Sequence, residues 1–146
     1  MRSVDDDATR AGHRTLPHTA DLIVEAWAPT RAGCLAEAVA ALTDSYADTS
    51  HAEPTRRHGF RLAAATDEQA LVALLDEALY VLDALGAVPV ETHLDTPGDA
   101  ELSGWFALVD VDRVTLIGSV PKGVALSGLS LRHLDGRWHC TATVDV

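Results

Sequence analysis

The amino-acid sequence predicts an α+β domain, with two helices packed on a largely antiparallel sheet in the order β-α-β-α-β-β-β-β-β. Three observations carry this reading. Leu71, Leu74, Leu75, Ala78, Leu79, Leu82 and Leu85 recur at helical spacing between a capping box, Thr66-Asp67-Glu68-Gln69, and a stop at Gly86. A shorter stripe of Leu35, Ala38, Val39, Leu42 and Tyr46 follows a capping residue at Thr30. After Gly86 the period switches to alternation, in short runs separated by turn residues.

Taken in order, residues 1–12 read as a disordered acidic tail containing Asp5-Asp6-Asp7, and residues 13–146 as a single domain. The first strand runs from Asp21 to Trp27, with Leu22, Val24 and Ala26 on one face and Asp21, Ile23, Glu25 and Trp27 on the other. The first helix fades near Ala47-Asp48, and Thr49 to Pro54 form a loop. Arg56 to Ala65 is a strand in which Phe60 and Leu62 alternate with Arg61; Arg56, Arg57 and Arg61 read as a solvated face or edge protection. On the second helix Asp76, Glu77 and Asp83 fall off the apolar stripe, towards solvent. Strands follow from Val88 to Leu94, from Leu102 to Val111 (Trp105, Ala107 and Val109 sharing a face), from Val114 to Val120 and from Val124 to Leu134. Thr96-Pro97-Gly98-Asp99 is a turn, and Asp135-Gly136 is a two-residue hairpin turn. The last strand, Arg137 to Val146, alternates strictly and leaves Asp145 on its polar face.

At 146 residues and 47% hydrophobic, the chain is long and apolar enough to bury one core. No apolar run approaches the length of a membrane span, and the acidic start is not a signal peptide, which places the protein in the cytoplasm with no membrane partner. Cys34 and Cys140 lie in no metal or redox spacing and read as reduced, buried residues. A net charge of −11 repels phosphate backbones and argues against direct nucleic-acid binding. A basic protein partner or a cation suits it better, and solubility alone accounts for it as well.

Two carboxylates stand at the ends of apolar strands far apart in the chain, Asp21 and Asp145. If they meet, they offer oxygen ligands of the kind that hard divalent ions take, and the terminal carboxylate at Val146 could add another. Their separation forms no motif, and on the sequence alone strand-end aspartates bonded to turn amides are the preferred explanation. His18 could be a ligand, a base or a strand-entry residue bonded to backbone. Nucleophilic catalysis finds little support: Ser127 and Ser130 lie in no G-x-S-x-G elbow, and Cys140 faces inward. Gly118 to Gly123 is glycine-rich but lacks the spacing of a phosphate loop. Lys122, the only lysine, is either a solvated side chain or a cation placed near the two aspartates.

These residues together resemble the archease family, activators of the GTP-dependent tRNA-splicing RNA ligase. Pro17-His18-Thr19-Ala20-Asp21 is similar to the family's H-T-A-D opening, and Leu71 to Tyr80 to its helix signature L-V-D-W-L-N-E-L-L-Y. Val120-Pro121-Lys122-Gly123-Val124 resembles its V-K-A-V strand, and Trp138 to Val146 its closing strand. Three departures stand out: Ala125-Leu126-Ser127 replaces T-Y-H, Asp76 the helix asparagine and Leu74 its tryptophan. The resemblance implies a divalent-metal site (calcium, magnesium or manganese) at Asp21 and Asp145 and a functional role for Lys122. With the terminal carboxylate the metal candidates are Asp21, Asp145 and Val146, and the candidates for facing the partner are His18, Lys122 and Glu77. The resemblance also implies a protein that is not itself an enzyme. Such a protein promotes guanylylation and multiple turnover of a ligase that joins RNA ends carrying a cyclic or 3′-phosphate to 5′-hydroxyl ends. The acidic domain would dock on a basic, metal-containing ligase face and hold or deliver the ion where GTP phosphates are oriented. The competing readings are a stand-alone metal-dependent phosphoesterase and a chaperone-like scaffold.

Overall fold

Two strands from opposite ends of the chain lie side by side at the centre of the larger sheet. In the computed structural model the described residues are 10–18, 21–95 and 100–146, with Pro17 and His18 by backbone alone. The expected tail therefore lies almost wholly outside the described residues, as does the turn Thr96-Pro97-Gly98-Asp99.

The chain begins with β1 (Gly12–His18) and β2 (Asp21–Ala28), followed by α1 (Arg31–Asp44), β3 (Ala47–Asp48), β4 (Arg56–Ala63) and α2 (Asp67–Leu85). It continues as β5 (Ala87–Leu94), β6 (Glu101–Asp110), a 3-10 turn (Val111–Arg113), β7 (Thr115–Leu116), β8 (Gly123–Val124), β9 (Ser130–Leu134) and β10 (Arg137–Asp145). The α+β class and both helices are as the sequence predicts. The single sheet is not: β1-β2-β10-β8 with β9 on β10 form one antiparallel sheet, β4-β6-β5 a second, and β3-β7 a short ribbon.

Four further expectations are corrected. A strand precedes the one expected to be first, and Pro17 survives within it because β1 is a sheet edge, where a missing N–H costs no ladder bond. The first helix stops at Asp44, so Tyr46 leaves its stripe and fills a small second core with Ala47, Val88 and Val109, where burial pushes its hydroxyl up to about 12. The strand expected over 114–120 shrinks to β7, beyond which Gly118 passes so close to Ser45 that a Cβ would lie 2.3 Å from its carbonyl oxygen. The strand expected over 124–134 splits into β8 and β9 around Gly128, whose φ of 77° is left-handed. The hairpin turn before β10 has the positive φ values, 53° at Asp135 and 81° at Gly136, that its sequence demands.

Both helices are capped locally. Thr30 accepts from the Gly33 N–H at 3.0 Å, and Thr66 from the Gln69 N–H at 3.1 Å, each worth about 1 kcal/mol. Gln69 reaches back to accept from the Ala65 N–H, and Gly86, in the left-handed region, ends α2. Their apolar stripes share one core with both sheets: Leu35, Val39, Leu71, Leu74 and Leu75 meet Val24, Ala142 and Val144 on one side and Phe60, Phe106 and Leu108 on the other. Cys34 and Cys140 are buried and unbridged. Among the described residues no helix is long and apolar enough to cross a membrane.

His13 ties the edge strand to α1. Its ring nitrogens donate to Glu37 at 2.5 Å and to Asp44 at 2.7 Å. The hydrogen bonds to Asp44 and Glu37 raise its pKa from 6.5 to about 9 against the opposing effect of burial. A pKa raised on folding gives stability that is fully present below the unfolded value and lost as pH rises through the folded one. The urea midpoint is therefore expected to fall between pH 6.5 and about 9, and His13→Gln to flatten that slope; an unchanged slope in the variant would remove His13 from the account. Leu74→Ala, at a fully buried core position, should cost about 2–5 kcal/mol in the same measurement.

Candidate functional site

β10 alternates inward Cys140, Ala142 and Val144 with outward Thr141, Thr143 and Asp145, because an extended chain presents successive side chains to opposite faces. β2 does the same from its other end, with Val24, Ala26 and Ala28 buried. The two strands pair antiparallel in a register that sets Asp145 directly opposite Asp21. Cross-strand partners of this kind hold their Cβ atoms about 4.5–5.5 Å apart. On its other side Asp145 pairs with Gly123, and its carbonyl accepts from the Lys122 N–H at 2.7 Å. Asp21, Gly123, Val124, Ala125, Thr143 and Asp145 line a cavity of about 220 Å³.

Like charges directly opposite each other destabilise a strand pair. Among the described residues neither Asp21 nor Asp145 makes an ion pair that would offset this. The donors offered are oxygens, which suit a hard divalent ion rather than zinc or copper. Among the described residues no group of three or more His, Cys, Asp or Glu side chains converges anywhere. The pair therefore fits such an ion as a partial ligand set, to be completed by backbone carbonyls, water or a partner's groups. Val146 follows half-buried and is not among the residues that line the cavity.

The register continues the row: His18 is the β1 partner of Asp21, on the side away from Asp145. Its side chain lies outside the description. Lys122 is exposed and lines a neighbouring cavity of about 620 Å³ with Asp76, Leu79, Tyr80, Asp83, Val120 and Gly123. Gly123 belongs to both cavities, so one strand of backbone separates the aspartate pair from this second hollow.

Glu77 is elsewhere. Its side chain is only 19% exposed and accepts from His58 Nε2 at 2.7 Å. The expectation that Glu77 lies in solvent is thus corrected: it turns towards β4. Asp76, one position earlier, takes the place beside Lys122, and burial raises its pKa. Sequence reasoning missed the grouping of Asp76, Tyr80 and Asp83 around Lys122. Their spacing of four and three residues, one helical face, was the available signal.

Large apolar side chains stand in the open around this end of the molecule. Leu126 is 80% exposed in the segment just after the cavity wall at Ala125; Tyr80 is 52% exposed and Val120 46%.

The model of the Archease protein family matches residues 13–146. Two curated sequences from Mycobacterium tuberculosis, strains CDC 1551 / Oshkosh and ATCC 25618 / H37Rv, each named "Probable protein archease", are 43% identical over 141 residues, covering 94% of this chain and 76% of theirs. Among solved structures, the solution structure of Methanobacterium thermoautotrophicum protein 1598 aligns with a TM-score of 0.76 over 92% of this chain and 99% of that one, at 19% identity. The crystal structure of an archease from Thermotoga maritima, described as a possible chaperone, aligns with a TM-score of 0.63 over 90% and 94%, at 17% identity. The two structures share the fold.

Facing carboxylates should cost stability when no cation bridges them. In protein stripped with a chelator at low ionic strength, Asp145→Asn is expected to raise stability to urea by up to about 1 kcal/mol. A lower midpoint would mean that the Asp145 carboxylate already has a favourable partner.

Proposed function

This chain belongs to the archease family, and on that premise we propose that it is a protein activator of a GTP-dependent RNA ligase, acting through a divalent ion held by Asp21 and Asp145. The observation that carries the proposal is the register that faces these two carboxylates at an open sheet end, next to a cavity and without a countercharge among the described residues.

The chemistry the ion supplies when bound is charge neutralisation of nucleotide phosphates at ligase guanylylation. This chain's own residues do the rest. Asp21 and Asp145 offer an incomplete oxygen shell, which leaves positions for groups brought by the ligase. Lys122, fixed next to Asp145 through its backbone N–H, is a mobile point cation able to meet a phosphate. Leu126, Tyr80 and Val120 supply the exposed apolar area that a protein interface would cover. The net charge of −11 speeds encounter with a basic ligase face and keeps RNA off this chain. In this account the protein has no turnover of its own and works in the cytoplasm beside its partner.

A second reading, a chaperone-like scaffold, is favoured by the same exposed side chains together with Leu116 and Ile117. One experiment separates the two. Multiple-turnover RNA joining by the cognate ligase is measured alone, with this protein and with Asp145→Ala. The proposal expects stimulation by the wild type and a return to the ligase-alone rate with Asp145→Ala. Stimulation that survives both Asp21→Ala and Asp145→Ala would leave only the scaffold, and RNA phosphoester turnover without any ligase would replace both readings by an enzyme.

A further inference from the structure

The outward face of the main sheet has a second hollow, at the end away from the aspartates. Asp21 and Trp27 lie on this same face of β2, about 20 Å apart at the rise of an extended strand. Around Trp27 a cavity of about 490 Å³ is lined by Arg10, Arg14, Glu25, Arg137, His139 and Thr141, with Gly12 behind it. Among the described residues that line it, three are arginines and one is a glutamate, in a chain with a net charge of −11.

The groups are held in place. Arg14 bonds Glu25 through Nε, and Arg137 donates from Nε to His139 Nε2 at 2.9 Å. Both guanidinium groups stand 5.6 Å from the Trp27 ring centroid. An accepting Nε2 leaves the proton of neutral His139 on Nδ1, a donor rather than a repelling group. Burial and the Arg137 charge both favour that neutral form. Gly12 lets the indole lie against β1: a Cβ there would sit 2.6 Å from Trp27 Cζ2.

The molecule contains a contrasting case. Trp105 has Arg57 at 3.9 Å and the His93 ring stacked at 3.9 Å, so its ring is already occupied. Trp27 has cations at its flanks, at 5.6 Å, and no closer ring or cation stacking among the described residues. A guanidinium suits phosphate oxygens, and an indole suits a flat ring. The volume lies within the range of small-ligand pockets.

We propose that this pocket binds a small phosphate-bearing ligand with a planar ring, of the nucleoside mono- or diphosphate class, with its phosphates on the arginines and its ring against Trp27. The site is separate from the aspartate pair and does not depend on the role proposed for it.

Calorimetric titration at fixed low salt tests this with three probes: a nucleoside diphosphate, inorganic pyrophosphate and the bare nucleoside. The diphosphate should bind saturably and most tightly. Arg14→Ala and Arg137→Ala should each weaken it by at least about tenfold, the lower end of the range for a hydrogen bond to a charged group. Trp27→Leu should bring the diphosphate down to the affinity of pyrophosphate, and Arg57→Ala should change nothing. Arg14 is 62% exposed, so its variant keeps the test intact if loss of Arg137 or Trp27 disturbs folding. No saturable binding up to about 1 mM, equal weakening by Arg57→Ala and Arg14→Ala, or pyrophosphate binding as tightly as the diphosphate would each overturn the proposal. Tighter binding of a single-stranded oligonucleotide than of the diphosphate would also overturn it.

Discussion

The pairing of β2 with β10 is the constraint on which the rest of the structure depends. The register from Trp138 opposite Ala28 to Asp145 opposite Asp21 lets Val24, Ala26 and Ala28 join Cys140, Ala142 and Val144 in the core. The same alternation decides what faces outward. A slip of one residue would bury Asp145 and expose Val144, which the core does not tolerate. The burial that stabilises the sheet and the meeting of the two carboxylates are thus one geometric fact.

That outward face has two unlike ends. At the open end two aspartates face each other beside a glycine strand, with exposed apolar side chains around them. At the other, arginines from β1 and β10 flank an indole. Between them Ile23 and Thr143 are cross-strand partners on the same face. A strongly acidic molecule has concentrated part of its small stock of cations where the sheet is farthest from its acidic pair.

What was legible in the sequence was whatever a local period or a cap could write. Both helices declare themselves by stripes and by Thr30, Thr66 and Gly86. The polar face of β10 was visible because its alternation is strict. β1 left no such trace: His13, Arg14 and Thr15 carry no apolar period, and Pro17 argues against a strand except at an edge. The segment from Leu116 to Val120 misled in the opposite sense, since Leu116, Ile117 and Val120 look like strand core but stand exposed. Division into separate sheets depends on pairing partners, which no single segment encodes. The same is true around Lys122. Glu77 and Asp76 differ by one position, about 100° around a helix, and only the tertiary contact between α2 and residues 120–123 tells which of them faces the cavity.

The neighbourhood of β2 and β10 also orders events during synthesis. β2 is made early and waits at the sheet centre without the strand that completes it, while nearly the whole domain is still to come. Closing so long a loop is entropically costly and kinetically slow. The acidic pair therefore exists only once β10 has emerged and docked, so a chain interrupted anywhere before that strand carries Asp21 alone. A partner that recognises both aspartates would in effect be inspecting whether β10 had docked and the sheet had closed.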